Sequence, residues 1–114
     1  MARPPKRKEQ SLVNSAERKR LRQIAHHLHP VVIIGEAGVT EAVIAETERA
    51  LEDHELIKVK INAERHGRGE LGERLLAAVR AEAVQSIGKV LVIYRSNLRA
   101  KPELSNVARA NPPC

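Results

Sequence analysis

The chain has 114 residues, 30% of them charged and 42% apolar, with a formal net charge of +6, which suits one soluble globular domain. Tyr94 is the single aromatic residue and Cys114 the single cysteine, which excludes an aromatic core and an intrachain disulfide and points to a reducing cytoplasm. No apolar run approaches the roughly 20 residues of a membrane span, and the basic start MARPPKRKEQ lacks the apolar stretch of a secretory signal.

Residues 1–10, rich in Pro, Lys and Arg, are expected to be a disordered basic arm ahead of a folded domain at 11–96. Asn14 can cap a first helix, with Glu17 three residues on as in a capping box. Leu21, Ile24, Ala25 and Leu28 recur at helical spacing and form its buried stripe. Pro30 ends that helix, and Val31–Ile34 reads as a short buried strand. After two glycines, Thr40 caps a second helix to about Asp53, with Val43, Thr47, Ala50 and Leu51 inward and glutamates over the rest. Leu56–Ala63 alternates strictly: Ile57, Val59, Ile61 and Ala63 share one face of a strand, Lys58, Lys60 and Asn62 the other. ERHGRG is expected to be a loop. A third helix, from about Glu70 to Glu82, buries Leu71, Leu75, Leu76 and Val79. Val84–Ile87 and Val90–Arg95 form two strands joined at Gly88-Lys89, where a leading glycine suits a type II′ turn. From Ser96 the apolar period stops, so 97–114 is expected to be a flexible tail. The order α-β-α-β-α-β-β predicts a single two-layer α/β domain with one small mixed sheet.

Charge is divided unevenly along this order. Residues 1–30 carry eight Lys/Arg against two Glu, residues 31–55 one Arg against seven acidic groups, and residues 56–114 eleven basic against five acidic groups. Segregation of this kind suits a polyanion on one side of the molecule, with nucleic acid the first candidate.

Gly35-Glu36-Ala37-Gly38 lies between a strand and a capped helix. Its backbone N–H groups and the helix N-terminus are suited to an anion, and two glycines let a sugar-phosphate chain approach. Glu36 opposes this: a carboxylate about 6 Å from a phosphate repels it by roughly 0.7 kcal/mol in water and about 3 at an effective dielectric of 20. Its side chain is therefore expected to turn outward, leaving the contact to backbone N–H groups.

Three stretches, HPVVIIGEAGVTEAV, ALEDHELIKVKI and IGKVLVIYR, together resemble the CRM domain (chloroplast RNA splicing and ribosome maturation) in its stand-alone bacterial YhbY-type form, over roughly residues 12–96. The resemblance implies a fold similar to the C-terminal domain of translation initiation factor three. It also implies RNA as partner, specifically rRNA in precursors of the large ribosomal subunit, and no cofactor. Carried over by position, the family's GxxG loop is Gly35, Glu36, Ala37 and Gly38, and its basic surface falls on Lys58, Lys60, Lys89 and Arg95. Arg18, Lys19, Arg20 and Arg22 on the first helix fit the same role less specifically.

Other chemistry is weakly signalled. His26 and His29 could share a helical face, but no third ligand has metal-site spacing, and imidazoles at a helix C-terminus are explained by its dipole. One aromatic cannot support sheet stacking of bases as the main mode, so recognition should rest on phosphates and RNA shape. There is no nucleophile with a base, no P-loop and no metal motif. The expectation is a non-enzymatic RNA-binding protein, cytoplasmic and monomeric, that assists assembly of the large ribosomal subunit. The alternatives are a protein–protein adaptor using the acidic second helix and a more general binder of structured RNA. DNA is disfavoured because no helix-turn-helix is evident.

Overall fold

The computed structural model describes residues 13–97, 99 and 101–110; the basic arm expected at 1–10 and the last residues of the tail lie outside them. The elements are α1 (Ser15–Ala25), β1 (Pro30–Ile34), α2 (Glu41–His54), β2 (Leu56–Ile61), α3 (Arg65–Val79), β3 (Glu82–Ile87), β4 (Val90–Tyr94) and α4 (Asn106–Ala110). The strands form one mixed sheet in the order β1-β2-β4-β3, with β1 parallel to β2 and the other pairs antiparallel. The mixed α/β class expected from the order of elements is the one observed.

Both predicted caps form. The Asn14 side chain accepts the Glu17 N–H at 2.8 Å, and Thr40 Oγ1 accepts that of Val43 at 3.1 Å, so each helix starts where an orphan donor finds a partner. On one face of the sheet, α2 and α3 close a core of Val32, Ile34, Leu51, Ile57, Val59, Ile61, Leu75 and Ile93. On the other, α1 covers a smaller cluster of Val13, Leu21, Ala25, Leu56, Val84 and Val92, with Val107 of α4 against it. The two expected layers are thus joined by a partial third. Buried Thr47 is satisfied locally, its hydroxyl donating to the Val43 carbonyl at 2.7 Å.

Four expectations are corrected. Val31–Ile34 is not a buried strand: β1 is a sheet edge, and Val31 and Ile33 are 48% and 57% exposed while Val32 and Ile34 are buried. ERHGRG is not a loop but the first turn of α3. Gly67 and Arg68 N–H groups both bond the Glu64 carbonyl, and packing of the later turns carries the cost of about 1 kcal/mol per glycine. The helix stops at Val79 rather than Glu82 because β3 claims Glu82 and Ala83 for pairing with Tyr94 and Ile93. Arg80 turns left-handed (φ 56°), and the N–H of Ala81 closes on the Leu76 carbonyl, a Schellman-type ending.

The fourth correction concerns the flexible tail, whose described part is folded. Glu55 takes a positive φ of 63° between α2 and β2, and its carboxylate accepts from Asn97 N–H at 2.7 Å and Ser105 Oγ at 2.6 Å. His54 Nδ1 donates to the Leu104 carbonyl at 2.8 Å, and Asn106 Nδ2 to that of Leu56 at 2.7 Å. These polar anchors carry no apolar period, which is why pattern reading missed them.

Candidate nucleic-acid interface

β1 delivers the glycine loop to the end of the sheet where β2 also finishes. The N–H of Asn62 bonds the Ile34 carbonyl at 2.9 Å, and that of Ile61 bonds the Lys89 carbonyl at 2.7 Å. Three connections therefore converge there: Gly35–Gly38, residues 62–64, and the β3–β4 hairpin tip at Gly88-Lys89. In the tip Gly88 has φ 57° and Lys89 is not left-handed, as a type II′ turn requires.

Within the loop, the Gly38 N–H closes on the Gly35 carbonyl at 3.0 Å. Glu36 and Ala37 keep negative φ, so the turn fits type I, and Gly38 follows at φ 79°. Glu36 and Ala37 are exposed, and among the described residues nothing bonds their N–H groups. The donors open to an anion are these two and the exposed first-turn N–H groups of Glu41 and Ala42; those of Gly38 and Val43 are taken within the loop and cap.

Of the predicted basic residues, Lys60 and Lys89 stand at this end, both exposed. Lys58 lies two residues back on the same sheet face as Lys60. Lys19 and Arg22 of α1, with Gln23, His26 and His27, face Gln85 and Ile87 of β3 across an open groove of about 490 Å³. The remaining three have partners within the chain. Arg18 Nη1 donates to the Ala83 carbonyl at 2.6 Å, and Arg20 pairs with Glu17 at 3.4 Å. Arg95 sits at the far end of β4 from Lys89, its Nη1 donating to Glu48 Oε1 at 2.9 Å and to the Val79 carbonyl at 2.8 Å. It clamps β4 to α2 and α3.

Two cations that sequence inspection missed stand at the same end. Arg65 and Arg68, with Lys89, line a cleft of about 500 Å³ between α3 and the hairpin. Arg68 and Lys89 also border the adjoining hollow at Asn62–Glu64. The spacing of three between Arg65 and Arg68 puts both on one helical face, a signal that exists only once the segment is helical. Lysines, guanidinium groups and unused backbone N–H groups can hold phosphates in register. Among the described residues no three His, Cys, Asp or Glu side chains gather as a metal set, and no helix is long and apolar enough to cross a membrane.

The sequence pattern of the CRS1/YhbY (CRM) domain matches residues 13–95. The chain belongs to this family. It is 51% identical over 94 residues, 82% of this chain and 90% of the relative, to a Pseudomonas aeruginosa protein named a probable RNA-binding protein. It is 42% identical over 93 residues, 81% of this chain and 94% of the relative, to a Haemophilus influenzae protein named an RNA-binding protein. The solution structure of a Staphylococcus aureus hypothetical protein, described as a candidate RNA binder, superposes with a TM-score of 0.69 at 36% identity. It covers 79% of this chain and 95% of that one. In this CRM domain, then, the GxxG loop, the hairpin tip and the start of α3 share one end of the sheet, and the acidic α2 packs on the face opposite Lys58 and Lys60.

Proposed function

We propose that this CRM-domain protein binds RNA without transforming it, and that its target is rRNA in precursors of the large ribosomal subunit, met as a monomer in the cytoplasm. The observation that carries this reading is the convergence of the Gly35–Gly38 loop with Lys60, Lys89, Arg65 and Arg68 at one end of the sheet. RNA-binding names borne by relatives of nearly the same length support it. Lys19, Arg22 and Lys58 extend the contact along the neighbouring face, while Arg18, Arg20 and Arg95 serve mainly the fold. The adaptor alternative is weakened because Glu48 and Glu55 in and beside α2 already hold Arg95, Asn97 and Ser105.

Gradient sedimentation of tagged protein from a cell lysate tests the ribosomal part. Co-migration with large-subunit precursors at low salt, lost at high salt, is expected of an electrostatically held assembly factor. Migration as free protein at both salts, with ribosomal particles intact, would remove the ribosomal role and leave a general RNA binder.

A further inference from the structure

The sheet face opposite α2 and α3 is only partly covered. α1 packs over Leu56, Val84 and Val92, and Tyr94 sits at that covered end, opposite Leu56 and Glu82. Toward the glycine loop the sheet lies open. Strand register there aligns one residue from each strand: Ile33 beside Lys60, Lys60 beside Val90, Val90 beside Ile87. Ile33 is 57% and Ile87 60% exposed, and with Val31, at the irregularity one step back on β1, they are the large apolar side chains left in solvent among the described residues. An exposed apolar row is unusual in a protein whose remaining core is closed.

We propose that this open row seats unpaired RNA bases, with Ile33 and Ile87 as aliphatic platforms and Lys58, Lys60 and Lys89 holding the phosphates beside them. The inference rests on the RNA-binding reading and deepens it, since phosphate contacts alone would not distinguish single strands from duplex. Three strand spacings separate Ile33 from Ile87, about 14 Å, so the two platforms can each seat a separate base lying flat on the sheet. Bases pack on aliphatic as well as aromatic side chains, so the absence of an aromatic from the row does not bar them. Charge selects this occupant over two others. The arm at 1–10 carries Arg3, Lys6, Arg7 and Lys8 against Glu9, and a second copy packed row to row would set the same lysines against one another. Only a polyanion with apolar faces matches both halves of the pattern.

The test uses the full chain, a labelled single-stranded RNA of about 12 nucleotides, and a blunt duplex of the same sequence, read by fluorescence anisotropy over a salt series. The double variant Ile33→Ser/Ile87→Ser removes exposed side chains, and a urea melt checks that it is folded. The expected result is single-strand affinity lowered about tenfold or more, duplex affinity within about twofold of wild type, and an unchanged salt slope, because no phosphate contact is lost. Lys60→Ala should instead weaken both probes and flatten the slope. Equal weakening of both probes by the serine variant, or of neither, overturns the base-seat proposal while leaving RNA binding intact. A wild-type dimer that the serine variant abolishes would assign the row to self-association and also overturn it. Failure of the wild-type chain to bind either RNA at low salt would instead remove the RNA-binding reading itself.

Discussion

Gly38 holds φ at 79°, where a side chain is strained, whereas Gly35 has a φ open to any residue and nothing within 4 Å of an added Cβ. The two glycines of one motif therefore separate fold from binding. Gly35→Asp should leave the melting temperature unchanged and lower RNA affinity several-fold, by placing a carboxylate beside the donors of Glu36 and Ala37. Gly38→Ala should destabilise by about 1–2 kcal/mol through the left-handed backbone, although its Cβ would meet Leu71 only at an ordinary 3.6 Å. A Gly35→Asp protein that binds normally would move the contact off the loop. Tyr94 offers a second readout at this scale. Burial, foremost, lifts its pKa above the ordinary 10.0; Glu55 and Glu17 push the same way, while the Ser96 hydrogen bond and Arg20 oppose. A raised pKa in the folded state means that its stabilising effect is complete below pH 10.0 and is lost as pH rises through the folded value. With no Trp and no second Tyr, absorbance near 295 nm should titrate above 10.0 in the folded protein and fall back to it in urea. A folded-state midpoint at or below 10.0 would mean the ring is open to water.

Among the elements, the ones legible in sequence were those with a period or a cap. Asn14 and Thr40 announced α1 and α2, the Ile57-Val59-Ile61 alternation announced β2, and Gly88 announced the hairpin, because each is a local solution that short-range physics fixes. The missed features depend on partners distant in the chain. α3 begins at Arg65 because its later turns pack on the sheet, β1 is half open because α1 does not reach over its Val31 and Ile33 face, and the C-terminal segment docks through Glu55 across 42 and 50 residues. The same distance dependence hid Arg65 and Arg68 and the clamp that Arg95 forms with Glu48 and the Val79 carbonyl. Glu55→Gln should preserve the sheet but weaken this docking, since a charge-assisted hydrogen bond contributes about 1.5–3 kcal/mol and the amide supplies only one acceptor oxygen. Trypsin cleavage after the exposed Arg99 should accelerate markedly, with the urea midpoint falling little. Unchanged cleavage would place the anchoring in Asn106 and His54 instead.

At the scale of the whole molecule, the charge segregation along the chain becomes segregation in space. Lys58, Lys60, Lys89, Lys19 and Arg22 border the open sheet face, Arg65 and Arg68 flank its end, and the acidic α2 packs behind. A polyanion approaching the acidic side is repelled and one approaching the open face is attracted, so docking direction is set before contact. Contact with about four to six phosphates predicts a log–log salt slope of roughly −3 to −5. Single substitutions should then sort by position rather than by charge. Lys89→Ala, at the tip where all three connections meet, should flatten the slope by about 0.7–0.9 with no loss of stability. Arg95→Ala removes the same formal charge but should leave the slope unchanged. It leaves the half-buried Glu48 carboxylate and the Val79 carbonyl without their donor, so it should lower stability by about 1–3 kcal/mol. If Arg95→Ala flattened the slope as much as Lys89→Ala, nucleic acid would be responding to net charge, and the ordered face would have no part in binding.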